Sequence, residues 1–249
     1  MTIHRFYVDE VAEVDKITKY NDGDLINQML KVLRLRDGEQ VSLFNGNKEV
    51  LGEIIVLTRN FVEIKGIKDN FKNNELPCGI NLYQSITNKM SKFEDIVRHS
   101  TELGVKKIVP IIAGRCQVDF LKKKDRLDKI LKEASEQCER NQIPEIDAEI
   151  KIEQVLDAPP KGINVFLTAR QVGDDGDKAA ILLRKILHDK EGDDVNVFVG
   201  PEGGFTDDEI DKAELAGFMF FRLGKTVLRT ETASLAFLAI LNFIEQDNN

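Results

Sequence analysis

The stretch VNVFVGPEGGFTDDEI, residues 195–210, decides the fold. Its opening VNVFV is a nearly continuous apolar run, the form a strand takes when both of its faces are covered, as in a parallel sheet. Gly200, Pro201, Gly203 and Gly204 break that run, and Thr206-Asp207-Asp208-Glu209 then has capping-box spacing, so a helix starts there. Open α/β sheets bind ligands at the carboxyl ends of their strands, and glycines let backbone amides approach closely, so this loop is a candidate binding site. A dinucleotide fingerprint would need glycines where Glu202 and Phe205 stand, and a phosphate cradle would not hold a carboxylate and a proline. A neutral or cationic ligand suits the loop better. The plain alternative is an ordinary strand-to-helix turn.

Outward from this stretch, GINLYQSI (79–86), KKIVPII (106–112), NVFLTA (164–169) and FMFFRLG (218–224) are further apolar strands. Helical stretches at about 91–104, 125–140, 177–189, 206–216 and 231–245 separate them, and Ser91 to Glu94 repeats the capping-box spacing. Alternating strands and helices predict an α/β domain with a parallel sheet covered on both faces. Phe218, Phe220 and Phe221 are read as core. A second loop, LGKTVLRTETA (223–233), also leaves a strand and enters a helix. Its Gly224-Lys225-Thr226 imitates the end of a P-loop, but Met219 stands where the earlier glycine is required. The two loops could converge on one pocket with Arg229 and Glu231 beside a helix start. A salt bridge between helices is the bland reading of that pair.

The first 70 residues instead carry short strands, RFYV, QVSLFNG, EVLGEIIVLT and FVEIKGI, interrupted by one helix or turn in LINQMLKVLRL. A small closed β-barrel removes the edges of such strands. The expected organisation is a barrel over 1–70, a polar linker over 71–78 and the α/β domain over 79–249.

Composition bounds the function. The 249 residues are 42% hydrophobic and 31% charged, as in a globular protein. Three widely spaced cysteines without a CxxC pair point to a reducing compartment and give no zinc set. Charged residues His4, Arg5, Asp9 and Glu10 replace the apolar stretch of a signal peptide, so a cytoplasmic protein is expected. No apolar run approaches the ~20 residues of a membrane span. Net charge is −8, yet residues 84–140 hold 13 basic against 9 acidic side chains. The run at 120–124, with Arg126, Lys129 and Lys132 after it, suits a phosphate backbone or merely a solvated helix. An RNA-binding module without catalysis would not need two glycine-containing loops at strand ends. A nucleotide hydrolase would need phosphate-compatible loops.

Taken together, HRFYV, VLRLRDGE, KMSKFEDIVRHSTELGVKKIVPI, EASEQCERNQIPEI, FVGPEGGFTDDEI and LGKTVLRTETASL resemble, in order and over nearly the whole chain, the RsmE-type ribosomal RNA uridine-N3 methyltransferases of the SPOUT superfamily. Joint occurrence of GPEGG and LRTET is the specific part. Two departures are visible: Glu139 stands where the family commonly has glycine, and Asn88 to Ser91 replaces a more glycine-containing stretch.

The resemblance implies a PUA-like barrel, a SPOUT-type α/β domain with a trefoil knot, S-adenosylmethionine as methyl donor, small-subunit (16S) ribosomal RNA as substrate, and a homodimer. It places the donor against Gly200, Glu202, Gly203 and Gly204, with Leu223, Gly224, Val227 and Leu228 near its adenine and Leu167 and Thr168 closing the third side. Arg229 and Glu231 become the catalytic candidates. Arg5, Arg34, Arg36, Lys92 and Arg140 become the RNA contacts. A sulfonium is positively charged, so Glu202 is tolerable beside it. The apolar helix SLAFLAILNFI (234–244) must be buried, one face against its own sheet and the other, in the arrangement implied, against a partner subunit.

Overall fold

The structure, a computed structural model, describes residues 3–118, 124–169 and 194–246. The expected helix at 177–189 and most of the basic run at 120–124 lie outside these residues. The chain divides into two units, Met1–Glu75 with Ser135–Ile143, and Leu76–Ala134 with Pro144–Asn249.

In the first unit, β1 (His4–Tyr7), β2 (Ile17–Tyr20), β3 (Gln40–Phe44), β4 (Glu49–Leu57) and β5 (Val62–Asp69) form one sheet in the order β1-β3-β4-β5-β2. β1 runs parallel to β3 and the other pairs are antiparallel. Among the described residues no ladder joins β1 to β2, so backbone pairing does not close the expected barrel. β2 is a strand that the sequence pattern did not disclose. Its four residues ITKY are at most half-buried, and a short exposed edge strand carries no apolar run. Helix α1 (Gly23–Asn27) is capped by Asp22, whose Oδ1 accepts from the Asp24 and Leu25 amides, and it passes into a wider helical turn at Gln28–Val32. Leu25, Ile26 and Met29 thereby join Phe6, Val41, Leu43, Ile54 and Ile64 in the core. Each such burial contributes about 1.5–3 kcal/mol.

Two expected RNA contacts are committed inside this unit. The Arg5 guanidinium is bidentate on Glu49, Nε to Oε1 at 3.0 Å and Nη2 to Oε2 at 2.8 Å, and lies 4.2 Å over the Phe44 ring. Arg140 pairs with Glu75, Nε to Oε2 at 3.1 Å, and its side chain is 7% exposed. A buried guanidinium that leaves its carboxylate strands an uncompensated charge, which costs about 3–5 kcal/mol. Arg5 and Arg140, expected as RNA contacts, thus stand in buried ion pairs of this unit. The same bonds explain why Ser135–Ile143 belongs here and not to the continuous second domain expected from sequence. Glu136 accepts from the Tyr7 amide and the Gln28 side chain, and Gln142 donates to the Gly46 carbonyl. Residues 71–75 of the expected linker at 71–78 are held as well, because Glu75 also accepts from the Asn141 and Gln142 amides at 2.9 Å. Glu139 adopts φ +63°, the left-handed region that favours glycine.

The second unit contains β6 (Ile80–Ser85), β7 (Val105–Ile112), β8 (Glu145–Ile146), β9 (Ile150–Lys151), β10 (Ile163–Leu167), β11 (Val195–Val199) and β12 (Met219–Phe221). The order is β12-β10-β11-β6-β7-β8, with β9 also on β7, and every pair is parallel. Its helices are α2 (Met90–Glu102), α3 (Lys124–Gln137, whose last turn belongs to the first unit), α4 (Ile152–Asp157), α5 (Asp207–Leu215) and α6 (Thr230–Gln246). Residues of β7, β10 and β11 alternate between faces. On one face Val109, Phe166 and Phe198 meet Val155 and Leu156 of α4 and Ile210 and Ala213 of α5, with Phe218 among them as core. Opposite them, α6 lies over α2, and the Phe221 and Phe237 rings stand 5.0 Å apart. Phe237, Leu238 and Leu241 of α6 are fully buried, whereas Phe243 is 64% exposed. The Thr206 capping box forms as expected. The one at Ser91 does not: Lys89 precedes the helix, and Glu94 takes Arg126 at 2.6 Å instead. Among the described residues no helix is long and apolar enough to cross a membrane.

Candidate active site

All strands of the second sheet point one way, so the carboxyl ends of β10, β11 and β12 share an edge. The segments leaving them line one cleft of about 680 Å³. Leu167 and Thr168 enter it from β10, Gly200, Glu202, Gly203 and Gly204 from β11, and Leu223, Val227 and Leu228 from the segment after β12. Arg229 and Glu231 line it at the start of α6. Gly224 does not line it. That glycine sits at φ +75° in the turn that carries Leu223.

The loop after β11 is held from both sides. Gly204 takes φ +69° and its amide donates to the Pro201 carbonyl at 2.8 Å, closing a tight turn that a side chain would strain. A Cβ on Gly200 would meet the Phe205 ring at 3.1 Å. Arg115, from the end of β7, donates to the carbonyls of Gly203 and Phe205. Glu209 accepts from the Gly114 amide at 2.7 Å and the Thr206 amide at 2.6 Å, tying this loop to the one after β7.

Charges in the cleft are arranged around Lys92. Its ammonium lies 3.5 Å from Glu202 and 3.9 Å from Glu231. These half-exposed pairs contribute about 0–1 kcal/mol each, so they place charges more than they stabilise the fold. Lys92, expected on the RNA side, thus stands in the cleft between the two carboxylates. Arg229 is exposed and makes no ion pair among the described residues, whereas Glu231 forms the expected salt bridge between helices with Lys92 of α2. Among the described residues, Oε2 of Glu231 and Nε of Arg222 are buried without a hydrogen-bond partner, and both residues line the cleft.

Residues 74–242 match the family model of an RNA methyltransferase domain. The chain belongs to this RNA methyltransferase family. Residues 22–65 match the model of an RNA methyltransferase PUA domain. Ribosomal RNA small subunit methyltransferase E of Rickettsia conorii is 31% identical over 242 residues, which cover 96% of this chain and 95% of that protein. A crystal structure of ribosomal RNA small subunit methyltransferase E from Neisseria gonorrhoeae, bound to S-adenosyl methionine, has a TM-score of 0.84 at 32% identity and covers 98% of each chain. A Legionella pneumophila methyltransferase in complex with the same cofactor has a TM-score of 0.82 at 30% identity, again over 98% of each chain.

Within this methyltransferase domain, the sequence pattern missed Arg115, Arg222 and Asp207 as cleft residues. Arg115 follows an apolar strand in AGRC, and a basic residue at a strand end was the only available signal. In the PUA-matching unit, Arg34 and Arg36 are exposed, Arg34 at φ +57°.

Proposed function

We propose that this protein transfers the methyl group of S-adenosylmethionine to N3 of a uridine in small-subunit ribosomal RNA. The observation that carries the reading is the cleft at the strand ends, which Glu202, Glu231 and the exposed Arg229 line together. Those residues fit the donor: carboxylates suit its positive charge, and the apolar side chains of Leu167, Leu223, Val227 and Leu228 suit its adenine. When bound, the donor supplies an electrophilic methyl on a sulfonium.

The chain's own residues have three tasks. N3 of uridine carries a hydrogen on the pairing edge, so the base must be taken unpaired. Arg229 holds the negative charge that spreads to O2 and O4 as the proton leaves, the work of a donor already in place. Glu231, whose Oε1 lies 3.9 Å from the Lys92 ammonium, takes up the N3 proton on its carboxylate as it leaves. Arg34 and Arg36 of the first unit contact the RNA backbone.

Homodimerisation in the cytoplasm completes the reading, supported by the exposed Ile240 and Phe243 on an otherwise buried apolar helix. A trefoil knot belongs to it too: after β12, at one edge of the sheet, the chain returns inward so that Thr230 bonds the Gly200 carbonyl at the end of β11. Mass mapping of methylated nucleosides in small-subunit rRNA, with and without the protein and donor, tests the reaction. No new N3-methyluridine would sink it. Light scattering across a dilution series tests the dimer against a 28.2 kDa monomer.

A further inference from the structure

Beneath the cleft, a line of buried side chains joins the two loops that face it. Gln84 at the end of β6 and Ser234 of α6 are 0% exposed, and Thr230 is 5% exposed. The directions of donation are forced by chemistry. Gln84 Oε1 has no hydrogen, so the Ser234 hydroxyl 2.5 Å away donates to it. Gln84 Nε2 spends its two hydrogens on Thr230 Oγ1 and the Ser85 carbonyl, both at 3.0 Å. The single hydrogen of Thr230 then goes to the Gly200 carbonyl at 2.6 Å. Turning the Gln84 amide over would set its oxygen 3.0 Å from the Ser85 carbonyl oxygen, acceptor against acceptor. Threonine at a helix start ordinarily turns its oxygen on the amides of its own helix. Thr230 instead reaches a different segment.

Such a network is no stronger than apolar packing of the same volume, but it accepts only one arrangement of its members. We propose that Thr230 is a positioning residue for the transfer reaction: its hydroxyl, aimed by Gln84 and Ser234, sets the loop at 200–204 against Arg229 and Glu231. Gly200 opens the loop that takes the donor, and Arg229 and Glu231 flank Thr230 in sequence, so one hydroxyl sets the spacing between donor and reacting base. The proposal rests on the function proposed above.

Thr230→Val, isosteric but without the hydroxyl, tests it beside Thr230→Ser, which keeps the hydroxyl. Affinity for S-adenosylmethionine is read by calorimetry, kcat and KM by methyl transfer to rRNA, and folding by melting temperature. Thr230→Val is expected to bind the donor about tenfold more weakly and to turn over at least about tenfold more slowly, the scale of one buried hydrogen bond left unmade. Thr230→Ser is expected to recover both to within about threefold, since it restores that bond. A Val variant with a lower melting temperature but unchanged affinity and kcat, or a Ser variant as impaired as Val, overturns the proposal. Should Thr230→Val fail to fold, Gln84→Met leaves Thr230 in place without its aim, and unchanged affinity and kcat there overturn the proposal equally. A wild-type protein that binds the donor but methylates no uridine defeats the substrate assignment alone, and the binding measurements then decide the role of Thr230.

Discussion

One guanidinium nitrogen of Arg115 lies 3.0 Å from the carbonyl oxygen of Gly203, and the same nitrogen reaches the Phe205 carbonyl at 3.0 Å. A residue from the end of β7 thus braces the glycine loop at the end of β11, two strands away in the sheet. Arg115→Ala removes both bonds at an exposed position, so the fold should survive while the loop loses its brace. Donor affinity should fall about three- to tenfold, consistent with one or two modest hydrogen bonds. Calorimetric titration with S-adenosylmethionine checks this, and wild-type affinity in the variant contradicts it.

Arg229 and Glu231 should separate binding from chemistry. Arg229→Met takes away the proposed charge stabiliser and should lower kcat by about 10²–10³, with donor affinity within about threefold of wild type. Glu231→Gln keeps the shape and removes the charge, and its loss should also fall on kcat. Steady-state kinetics on rRNA decide the matter, and a loss confined to KM for the donor would assign both residues to binding instead.

The Arg5–Glu49 pair should make the protein acid-sensitive. Burial alone would raise the Glu49 carboxyl, but hydrogen bonds from Arg5 and Ser42 overcome it and hold the group below the usual carboxylate range. A carboxyl depressed in the folded state stabilises it above the unfolded value of about 4.3, and that contribution disappears as pH falls through the folded value. Glu49→Gln should therefore be less stable than wild type near neutrality, with the difference shrinking at acid pH. Urea denaturation across that range measures it. A gap that does not narrow is the contrary result.

Glu139 pays for its left-handed backbone, φ +63°, with strain that glycine avoids. Glu139→Gly should raise stability by about 1 kcal/mol, the left-handed cost less part of glycine's extra chain entropy. The denaturation midpoint reads this directly, and a fall would mean that the Glu139 side chain contributes more than the strain costs.

Much of the cleft was legible because its signals are local. A strand, a glycine turn and a capping box occupy the consecutive residues 195–210, and the Thr206 box needs only residues three apart. The same spacing misled at Ser91, where Glu94 took a partner 32 residues away, Arg126. Strand β2 escaped because an exposed four-residue edge buries too little to leave an apolar pattern.

By itself, the sequence determined the parallel α/β character of the second unit and which residues leave its strand ends, since apolar periodicity and backbone preference act over a few residues. Only the tertiary structure decided the roles of the charged groups. Arg5 meets Glu49 across 44 residues and Arg140 meets Glu75 across 65, so both guanidinium groups hold a carboxylate inside the first unit. Lys92 likewise stands in the cleft because folding brings Glu202 and Glu231 to it. A guanidinium or an ammonium has the same formula beside a phosphate as beside a buried carboxylate, and which of them it meets depends on distant chain segments that no local pattern records.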